Sequence, residues 1–279
     1  MPSVFDRSGL AALSDLESPE WRELFEFLES EQASFLEKER EFWNPAYKWA
    51  RDPLHTWSRL WEYPYVFHHL QHLRKSLPGD RSIHVVDVGS GITFLPFSVA
   101  RLGFHVTCVD TDPIAVESVE RAAQYVDTGH GDVRGLIAGA EGVPLSDGAA
   151  DIVYCVSVLE HVADVTRVLR EIARVLSPGG SLILTTDIDL QGDSSLGIQT
   201  RTQVVQALTE SFDWVCPDRT VHAADLLTSD RGPYPYDEPW SLPKAWFFAK
   251  QRAKGLIGRR PSPHLVWLAV EGFVLRKRG

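Results

Sequence analysis

Short apolar runs alternate with amphipathic stretches through the middle of the chain. The apolar runs are rich in valine, isoleucine and leucine, which is the pattern of parallel strands buried on both faces. They predict strands near 83–88, 105–110, 133–138, 151–157 and 181–187. The amphipathic stretches predict helices near 94–102, 113–126, 162–176 and 200–211. This alternation indicates an α/β fold: a parallel sheet with helices on both faces, which binds ligands at the carboxyl ends of its strands.

The two ends of the chain depart from this alternation. Residues 1–80 are predicted to form a helical N-terminal extension, because the sequence Ser-Pro-Glu at 18–20 combines a capping hydroxyl, a proline and an acid. Residues 81–279 are predicted to form the α/β core. Within the core, apolar residues predict a sixth strand at 212–216 and a last strand at 264–275.

The 279-residue chain has the composition of an ordinary globular protein, with 44% hydrophobic and 24% charged residues. Its net charge of -10 argues against general affinity for nucleic acid or anionic membranes. The three cysteines fall in predicted strands without Cys-x-x-Cys spacing, which favours buried thiols in a reducing cytoplasm. No apolar stretch is long enough to span a bilayer, and no secretory leader is evident. We therefore expect a cytoplasmic protein without stable membrane insertion, and the pattern favours no particular oligomeric state.

A glycine-rich turn follows the first predicted strand of the core. Asp87 lies near the end of that strand, Gly89 and Gly91 follow, and a helix is expected directly afterwards. Such a turn exposes backbone N–H groups, and glycines let a ligand approach them without meeting a Cβ atom. The second strand also ends in an acid, Asp110, which is suitably placed to bind the hydroxyls of a ribose. The pattern predicts a nucleotide-type cofactor.

Two classes of protein use this arrangement. NAD-dependent oxidoreductases usually have a third glycine, but Phe94 occupies that position. An acid, two glycines and a second strand-end acid together resemble the class I S-adenosylmethionine (SAM)-dependent methyltransferases. Three later segments resemble motifs of the same family in the same order. They are Ala140–Val153, Val158–Val162 and Val168–Gly180.

The resemblance covers 83–187 and implies a Rossmann-like sheet of seven strands, in which the antiparallel last strand lies between the fifth and the sixth. It implies SAM as cofactor and S-adenosylhomocysteine (SAH) as product. Asp87 and the Gly89 backbone would hold the amino-acid end of SAM, and Asp110 would bind the ribose. The family often has an acid where Gly139 stands. The cofactor-binding residues that the resemblance implies are Asp87, Gly89, Ser90, Gly91, Thr93, Asp110, Thr111, Asp112, Ala140, Glu141, Val156 and Ser157.

Aromatic residues are concentrated just before the core, from Trp43 to Tyr65. In the family that the chain resembles, N-terminal helices commonly fold over the cofactor and form part of the acceptor pocket, which would make this segment a lid. The rings can equally serve only to pack the extension onto the core. Within the first interpretation, Arg59 and Tyr63 are the candidates for contacts with the substrate.

Histidines at 68, 69 and 72 raise the question of a metal site, since His68 and His72 lie one helical turn apart. No third ligand with suitable spacing is visible, and paired helical histidines are more often surface or packing groups. We predict no metal.

A long insertion, about 223–263, precedes the last strand. It opens with a proline-rich coil and continues as a predicted basic helix at 243–257. Long loops in compact domains are usually functional. The helix is interpreted in three ways: a cap that recognises a phosphate or carboxylate on the acceptor, transient contact with a membrane, or packing on the sheet edge with its lysines in water.

Methyl transfer requires alignment of donor and acceptor and, for a hydroxyl acceptor, a group that takes its proton. His161 and Asp187 are the candidate catalytic residues, and the sequence does not choose between them. The leading hypothesis is a methyltransferase that acts on a small molecule, through a hydroxyl oxygen, in secondary metabolism or glycan modification. The alternatives are an NAD-dependent oxidoreductase, a protein or RNA methyltransferase, and a non-catalytic SAM-binding module.

Overall fold

The computed structural model describes residues 3–78, 81–139, 142–190, 196–235 and 268–279. Strands and helices alternate through the core as the sequence pattern predicts. The strands are β1 (Gly9–Leu10), β2 (His84–Val88), β3 (His105–Asp110), β4 (Asp132–Ile137), β5 (Ala150–Val156), β6 (Leu176–Asp189), β7 (Phe212–Trp214) and β8 (Leu268–Lys277). The helices are α1 (Pro19–Glu37), α2 (Glu39–Phe42), α3 (Arg59–Ser76), α4 (Leu95–Arg101), α5 (Pro113–Ala122), α6 (Val165–Val175) and α7 (Ile198–Ser211).

The described strands form one sheet in the order β1-β8-β6-β5-β2-β3-β4, and β7 also pairs with β8. Neighbouring strands from β4 to β6 are parallel, whereas β8 runs antiparallel to β6. Strand β8 therefore lies between β6 and β7, the fifth and sixth strands of the core. This arrangement confirms the predicted α/β fold with an antiparallel last strand.

Two apolar layers cover the sheet because side chains on successive strand residues point to opposite faces. Val85 packs with the N-terminal helices, α4 and α5. Val86 packs on the other face with residues of α6 and α7. None of the described helices has the length and apolar composition needed to cross a membrane.

The N-terminal extension shares its core with the sheet. The indole N–H of Trp21 on α1 donates to the carbonyl of Leu60 on α3, 2.8 Å away, and joins the two helices. Trp61 and Tyr65 are fully buried and stack with their ring centroids 4.6 Å apart. Their rings lie directly over Gly272 of β8, where an added Cβ would be only 2.7 Å from Tyr65 Cε1. Helix α3 thus packs closely on the backbone of the sheet.

The structure adds a short N-terminal strand that was not predicted, and it describes only part of the insertion before β8. Strand β1 was not predicted; it is two residues long and pairs with β8 through Gly9 and Gly272. The insertion is described as far as residue 235 and contains a short 3-10 turn, Ala223–Asp225. The predicted basic helix at 243–257 lies outside the described residues.

Candidate cofactor and acceptor site

The glycine turn lies at the carboxyl edge of the sheet and has the backbone geometry that only glycine adopts without strain. Gly89 and Gly91 have φ angles of 72° and 55°. A Cβ atom at Gly89 would collide with the side chain of Val158, and one at Gly91 would collide with the Tyr47 hydroxyl. The lack of side chains at both positions therefore lets Val158 and Tyr47 pack directly against the backbone of the turn.

Asp110 is fixed beside this turn. One carboxylate oxygen accepts the N–H of Gly91 and the other accepts the N–H of Asp112, each at 2.9 Å. A carboxylate oxygen has room for a second donor, so Asp110 can also accept ribose hydroxyls. Asp112 caps helix α5 through the N–H of Ile114, at 2.9 Å. The exposed Thr111 lies between the two acids at the carboxyl end of β3.

Asp87 is a buried acid without a cationic partner among the described residues. Its side chain accepts a hydrogen bond of 2.9 Å from the Tyr154 hydroxyl. Burial, reinforced by the charge of Asp110, raises the pKa of Asp87 to about 8. A ligand ammonium group would supply the missing positive charge, so this residue fits the amino-acid end of SAM.

Two tyrosines of the N-terminal extension cover the turn. The Tyr47 hydroxyl accepts the N–H of Ile92 at 3.0 Å. Tyr63, on α3, is buried, hydrogen-bonds with the side chain of Thr93 and packs edge-on against Phe94. Burial raises the pKa of Tyr63 to about 12, so its hydroxyl stays protonated at neutral pH. Tyr63 was predicted as a site residue; Tyr47 was missed, although it belongs to the same aromatic segment.

Arg59 joins α3 to the end of β5. Its guanidinium forms an ion pair with Glu62 and donates to the Ser157 hydroxyl at 2.7 Å. Glu62 also accepts hydrogen bonds from Ser157 at 2.8 Å and from Thr185 at 2.5 Å. The non-glycine residue Ser157 has a φ of 48°, a conformation that costs energy and persists where surrounding contacts enforce it.

Two further acids complete what we call the acid cluster, which consists of Arg59, Glu62, Ser157, Glu160 and Asp187. The Ser157 hydroxyl lies 3.5 Å from Asp187, which is half-buried at the end of β6. Burial and the charge of Glu160 raise the pKa of Asp187 well above its usual range. Burial and the charge of Glu62 raise the pKa of Glu160 to about 7.

His161 lies apart from this cluster, although it follows Glu160 directly. Its ring is 5.3 Å from that of Trp49 at the surface of the site. Partial burial and the charge of Arg59 lower its pKa, so the imidazole is neutral at pH 7. Within the described chain, no hydrogen bond joins His161 to Asp187. The two candidate catalytic residues therefore occupy different surroundings.

The remaining predicted positions divide into described and undescribed ones. Ala140 and Glu141 lie outside the described residues. Gly139 lies beside them, and a Cβ atom there would meet no described residue within 4 Å. Val156 is the last residue of β5, and Ser90 lies two residues after the end of β2, at the same edge of the sheet.

The histidines of α3 lie far along the helix and secure the N-terminal segment. Asp6, His68 and His69 are the one group of described residues arranged so that they could hold a metal. Each has a protein partner, however: His68 Nε2 lies 3.1 Å from Asp6, and His69 Nε2 lies 2.9 Å from the Phe5 carbonyl. Burial lowers the pKa of His69 to about 3. The absence of a functional metal stays a prediction.

Comparison with known proteins identifies the domain to which this site belongs. Residues 86–184 match a family model described as a methyltransferase domain. This segment contains both acids, the glycine turn and two members of the acid cluster, Ser157 and Glu160. The segment is therefore similar to a methyltransferase domain, and the predictions of a SAM-dependent class I methyltransferase and of SAM as its cofactor are confirmed.

Curated relatives match the same region. A protein named ubiquinone biosynthesis O-methyltransferase from Xanthomonas oryzae pv. oryzae (strain PXO99A) is 40% identical over 118 residues, which are 40% of this chain and 45% of the relative. A protein with the same name from Xanthomonas campestris pv. campestris (strain B100) is 39% identical over 118 residues, with the same coverage. The chain thus matches less than half the length of these relatives.

Two solved structures share the fold. The [4+2]-cyclase SpnF is 21% identical, with a TM-score of 0.50 over 75% of this chain and 81% of that chain. A geranyl diphosphate methyltransferase, solved with GPP and sinefungin, is 16% identical, with a TM-score of 0.50 over 75% of this chain and 78% of that chain. These likenesses support the fold alone, and their different names show that this fold hosts more than one chemistry.

Proposed function

We propose that the protein is a SAM-dependent methyltransferase that methylates a hydroxyl oxygen of a small molecule. The observation that carries the proposal is the glycine turn flanked by Asp87 and Asp110, within the segment that matches the methyltransferase family. Oxygen as the methylated atom is supported by the O-methyltransferase names of the relatives. The net charge of -10 supports a small-molecule acceptor over nucleic acid.

Each side of the site has a defined task in this proposal. Bound SAM supplies an electrophilic methyl carbon. Asp87 binds its ammonium group and Asp110 binds its ribose hydroxyls. The backbone of the glycine turn contacts the part of SAM between these two groups. Tyr47 and Tyr63 cover the turn and exclude water from it. The acceptor is held in line with the carbon–sulfur bond that breaks.

The acceptor is proposed to bind between the extension and the ends of β5 and β6. A hydroxyl has a pKa far above 7, so a group of the protein must take its proton during transfer. Asp187 lies at this edge and is half-buried, whereas His161 lies nearer the surface. The three cysteines are free thiols, which supports the proposed cytoplasmic location.

Titration calorimetry with SAM, SAH and NAD tests the cofactor part of this proposal. We expect SAM and SAH to bind and NAD to give no heat above dilution. Binding of NAD alone would refute the proposal in favour of an oxidoreductase. The variant Asp110→Ala should weaken SAM binding at least about tenfold, because ribose contacts are lost. The variant Asp213→Ala removes an exposed acid on β7 and serves as the control.

Transfer itself is tested with SAM that carries a radiolabelled methyl group. The protein is incubated with pools of hydroxylated small molecules, with a bulk protein extract and with total RNA. Label in the small-molecule fraction would support a small-molecule acceptor. Alkali releases labelled methanol from a methyl ester but leaves a methyl ether intact, and tandem mass spectrometry of the alkali-stable product shows whether the methyl group is on oxygen. Label in protein or RNA would favour the corresponding alternative, and SAM binding without any transfer would favour a non-catalytic module.

A further inference from the structure

Asp87 lies in the middle of a row of three side chains that crosses the sheet. Its strand, β2, runs between β3 and β5, and the parallel register pairs Asp87 with Cys108 on one side and with Tyr154 on the other. Paired residues of neighbouring strands point to the same face, so all three side chains face the N-terminal extension. The sheet therefore gives Asp87 two fixed neighbours, a thiol and a phenol.

Of these two neighbours, the phenol is the one that forms a hydrogen bond with the carboxylate. The Tyr154 hydroxyl donates to Oδ2 of Asp87 at 2.9 Å, whereas the Cys108 thiol, a weaker donor, interacts with the side chain of Ser90. Tyr154 is fully buried, so its ring is fixed by the packing around it. Oδ2 of Asp87 is therefore held by a donor that has a fixed position of its own.

The second carboxylate oxygen of Asp87, Oδ1, accepts no hydrogen bond from any described residue. It is not sealed inside the protein either, because the enclosed polar side-chain atoms that lack a partner in the described chain belong to Arg7, Glu31 and Glu160. A carboxylate with one oxygen held by the protein and the other unoccupied can accept a charged donor from a ligand. The hydrogen bond from Tyr154 thus leaves Asp87 oriented for the ammonium group that the proposed function assigns to it.

A buried tyrosine hydroxyl needs an acceptor in any protein, and Tyr65 shows the structural form of this contact. Tyr65 is also fully buried, but it donates to the backbone carbonyl of Arg7 at 2.8 Å. That acceptor is neutral and belongs to the N-terminal segment. Tyr154 donates instead to an ionisable group beside the cofactor turn, and a donor to a carboxylate stabilises its ionised form. The two tyrosines therefore differ in what their hydroxyl groups can control.

We propose that Tyr154 is a positioning residue of the cofactor site, whose hydroxyl fixes Asp87 and favours the ionised carboxylate that binds the ammonium group of SAM and SAH. The inference rests on the proposed function and deepens it, because it adds a residue that acts on the cofactor through another side chain. Without the hydroxyl, Oδ2 loses its donor and Asp87 keeps its proton to higher pH.

The pH dependence of cofactor binding follows from the groups around Asp87. Burial raises the pKa of Asp87 to about 8; the hydrogen bond from Tyr154 opposes this rise and the charge of Asp110 adds to it. The ionisable groups that face Asp87 are Tyr63 from α3, Cys108 and Asp110 from β3, and Tyr154 and Cys155 from β5. Burial raises the pKa of each tyrosine and cysteine in this group, so they stay protonated. The affinity for SAH should therefore increase with pH up to the pKa of Asp87.

The variant Tyr154→Phe removes the hydroxyl and keeps the ring. Its binding of SAH is compared by calorimetry with its binding of 5′-methylthioadenosine, which has the adenosine and the sulfur of SAH but no amino-acid part. At pH 7 we expect the affinity for SAH to fall about tenfold and the affinity for methylthioadenosine to change by less than about twofold. An equal loss for both ligands would show that Tyr154 only maintains the fold, and an unchanged affinity for SAH would show that it does not act on Asp87. Either result would overturn the inference, whereas failure of both ligands to bind the unmodified protein would refute the proposed function.

Tyr65→Phe is the matched control, because it removes an equally buried hydroxyl that donates to a neutral acceptor. It should leave both affinities unchanged. The affinity for SAH is then measured from about pH 6 to about pH 9 in all three proteins. In Tyr154→Phe the increase with pH should continue to a higher pH than in the control and in the unmodified protein. A profile that is the same in all three would contradict an effect on the ionisation of Asp87.

A double variant tests whether Tyr154 acts through Asp87. In Asp87→Asn no carboxylate remains to be ionised, so adding Tyr154→Phe should change the affinity for SAH by less than about twofold. The same tenfold loss in both backgrounds would mean that the hydroxyl acts on the cofactor by another route, and the inference would be wrong.

Discussion

The hydroxyl of Tyr47 accepts a hydrogen bond of 3.0 Å from the backbone N–H of Ile92, although 45 residues separate the two along the chain. This contact places a side chain of the N-terminal extension directly on the cofactor turn. Tyr47→Phe should therefore weaken SAH binding about three- to tenfold, and Tyr47→Ala should weaken it further, as measured by calorimetry. The exposed Tyr125 provides the control, since Tyr125→Phe should leave the affinity unchanged.

A side chain in the glycine turn should exclude the cofactor. Gly91→Ala combines an unfavourable positive φ with a collision between the new methyl group and the Tyr47 hydroxyl. We expect at least a tenfold loss of SAH affinity and a loss of about 1 kcal/mol in the free energy of unfolding. Combining it with Tyr47→Ala should restore part of the stability. If the losses in free energy of unfolding of the two single variants simply add in the double variant, the collision is contradicted.

Asp87 should reduce stability as pH rises. Its pKa is about 8 in the folded protein, well above its usual value of 3.8, so the folded state binds more protons than the unfolded state between these values. The stability contribution of protonated Asp87 is complete below pH 4 and is lost as pH rises towards 8. Asp87→Asn should therefore be more stable than the parent protein at pH 8, by about 1–3 kcal/mol. At pH 5 this difference in the free energy of unfolding should be smaller.

Thermal unfolding of both proteins between pH 5 and pH 8 measures this difference. Asparagine can still accept the hydrogen bond from Tyr154. The same variant should bind SAM at least about tenfold more weakly, because it cannot neutralise the ammonium group. Parallel stability curves for the two proteins would show that Asp87 is not the titrating group.

The open position at Gly139 should accept an acid. Within the described part of the chain, a Cβ atom there meets nothing within 4 Å, and the family that the sequence resembles often has a carboxylate at this position. Gly139→Asp should tighten SAM binding roughly two- to fivefold, through a hydrogen bond to the adenine amine, with little effect on stability. Gly139→Ala separates the effect of the carboxylate from that of backbone stiffening, and equal affinities for the two variants would reject the adenine contact.

Removing only one partner of the ion pair between Arg59 and Glu62 should strongly lower the free energy of unfolding. Arg59→Met leaves the fully buried Glu62 without its cation and should lower the free energy of unfolding by about 3–5 kcal/mol. The double variant Arg59→Met/Glu62→Gln should recover much of this loss, because no buried charge remains unpaired. Denaturant unfolding of the three proteins measures both effects, and a double variant no more stable than Arg59→Met would contradict the electrostatic explanation.

Local sequence patterns predicted the parts of the fold and site that depend on neighbouring residues. Strand β3 spans the predicted 105–110, and Asp87 and Asp110 lie at the carboxyl edge as expected. Both acids were recognisable because the strand and the turn that position them lie within a few residues.

Contacts between distant parts of the chain were not recognisable in the same way. Strand β1 pairs Gly9 with Gly272, and a two-residue strand has no periodicity to reveal it. Glu62 looks like a surface position in an aromatic helix, yet its partners Ser157 and Thr185 come from β5 and β6. The acid cluster therefore became visible only once the sheet brought these residues together.

The missing side chain of Gly272 sets the height of α3 above the sheet. The rings of Trp61 and Tyr65 pack on the backbone of β8 at Gly272. Helix α3 therefore lies close enough to the sheet for Glu62, the residue after Trp61, to reach Thr185. Even a methyl group at 272 would lift the helix and pull the carboxylate away from the hydroxyls that hold it. A glycine distant from the cofactor turn thus determines where the buried carboxylate of Glu62 lies relative to the ends of β5 and β6.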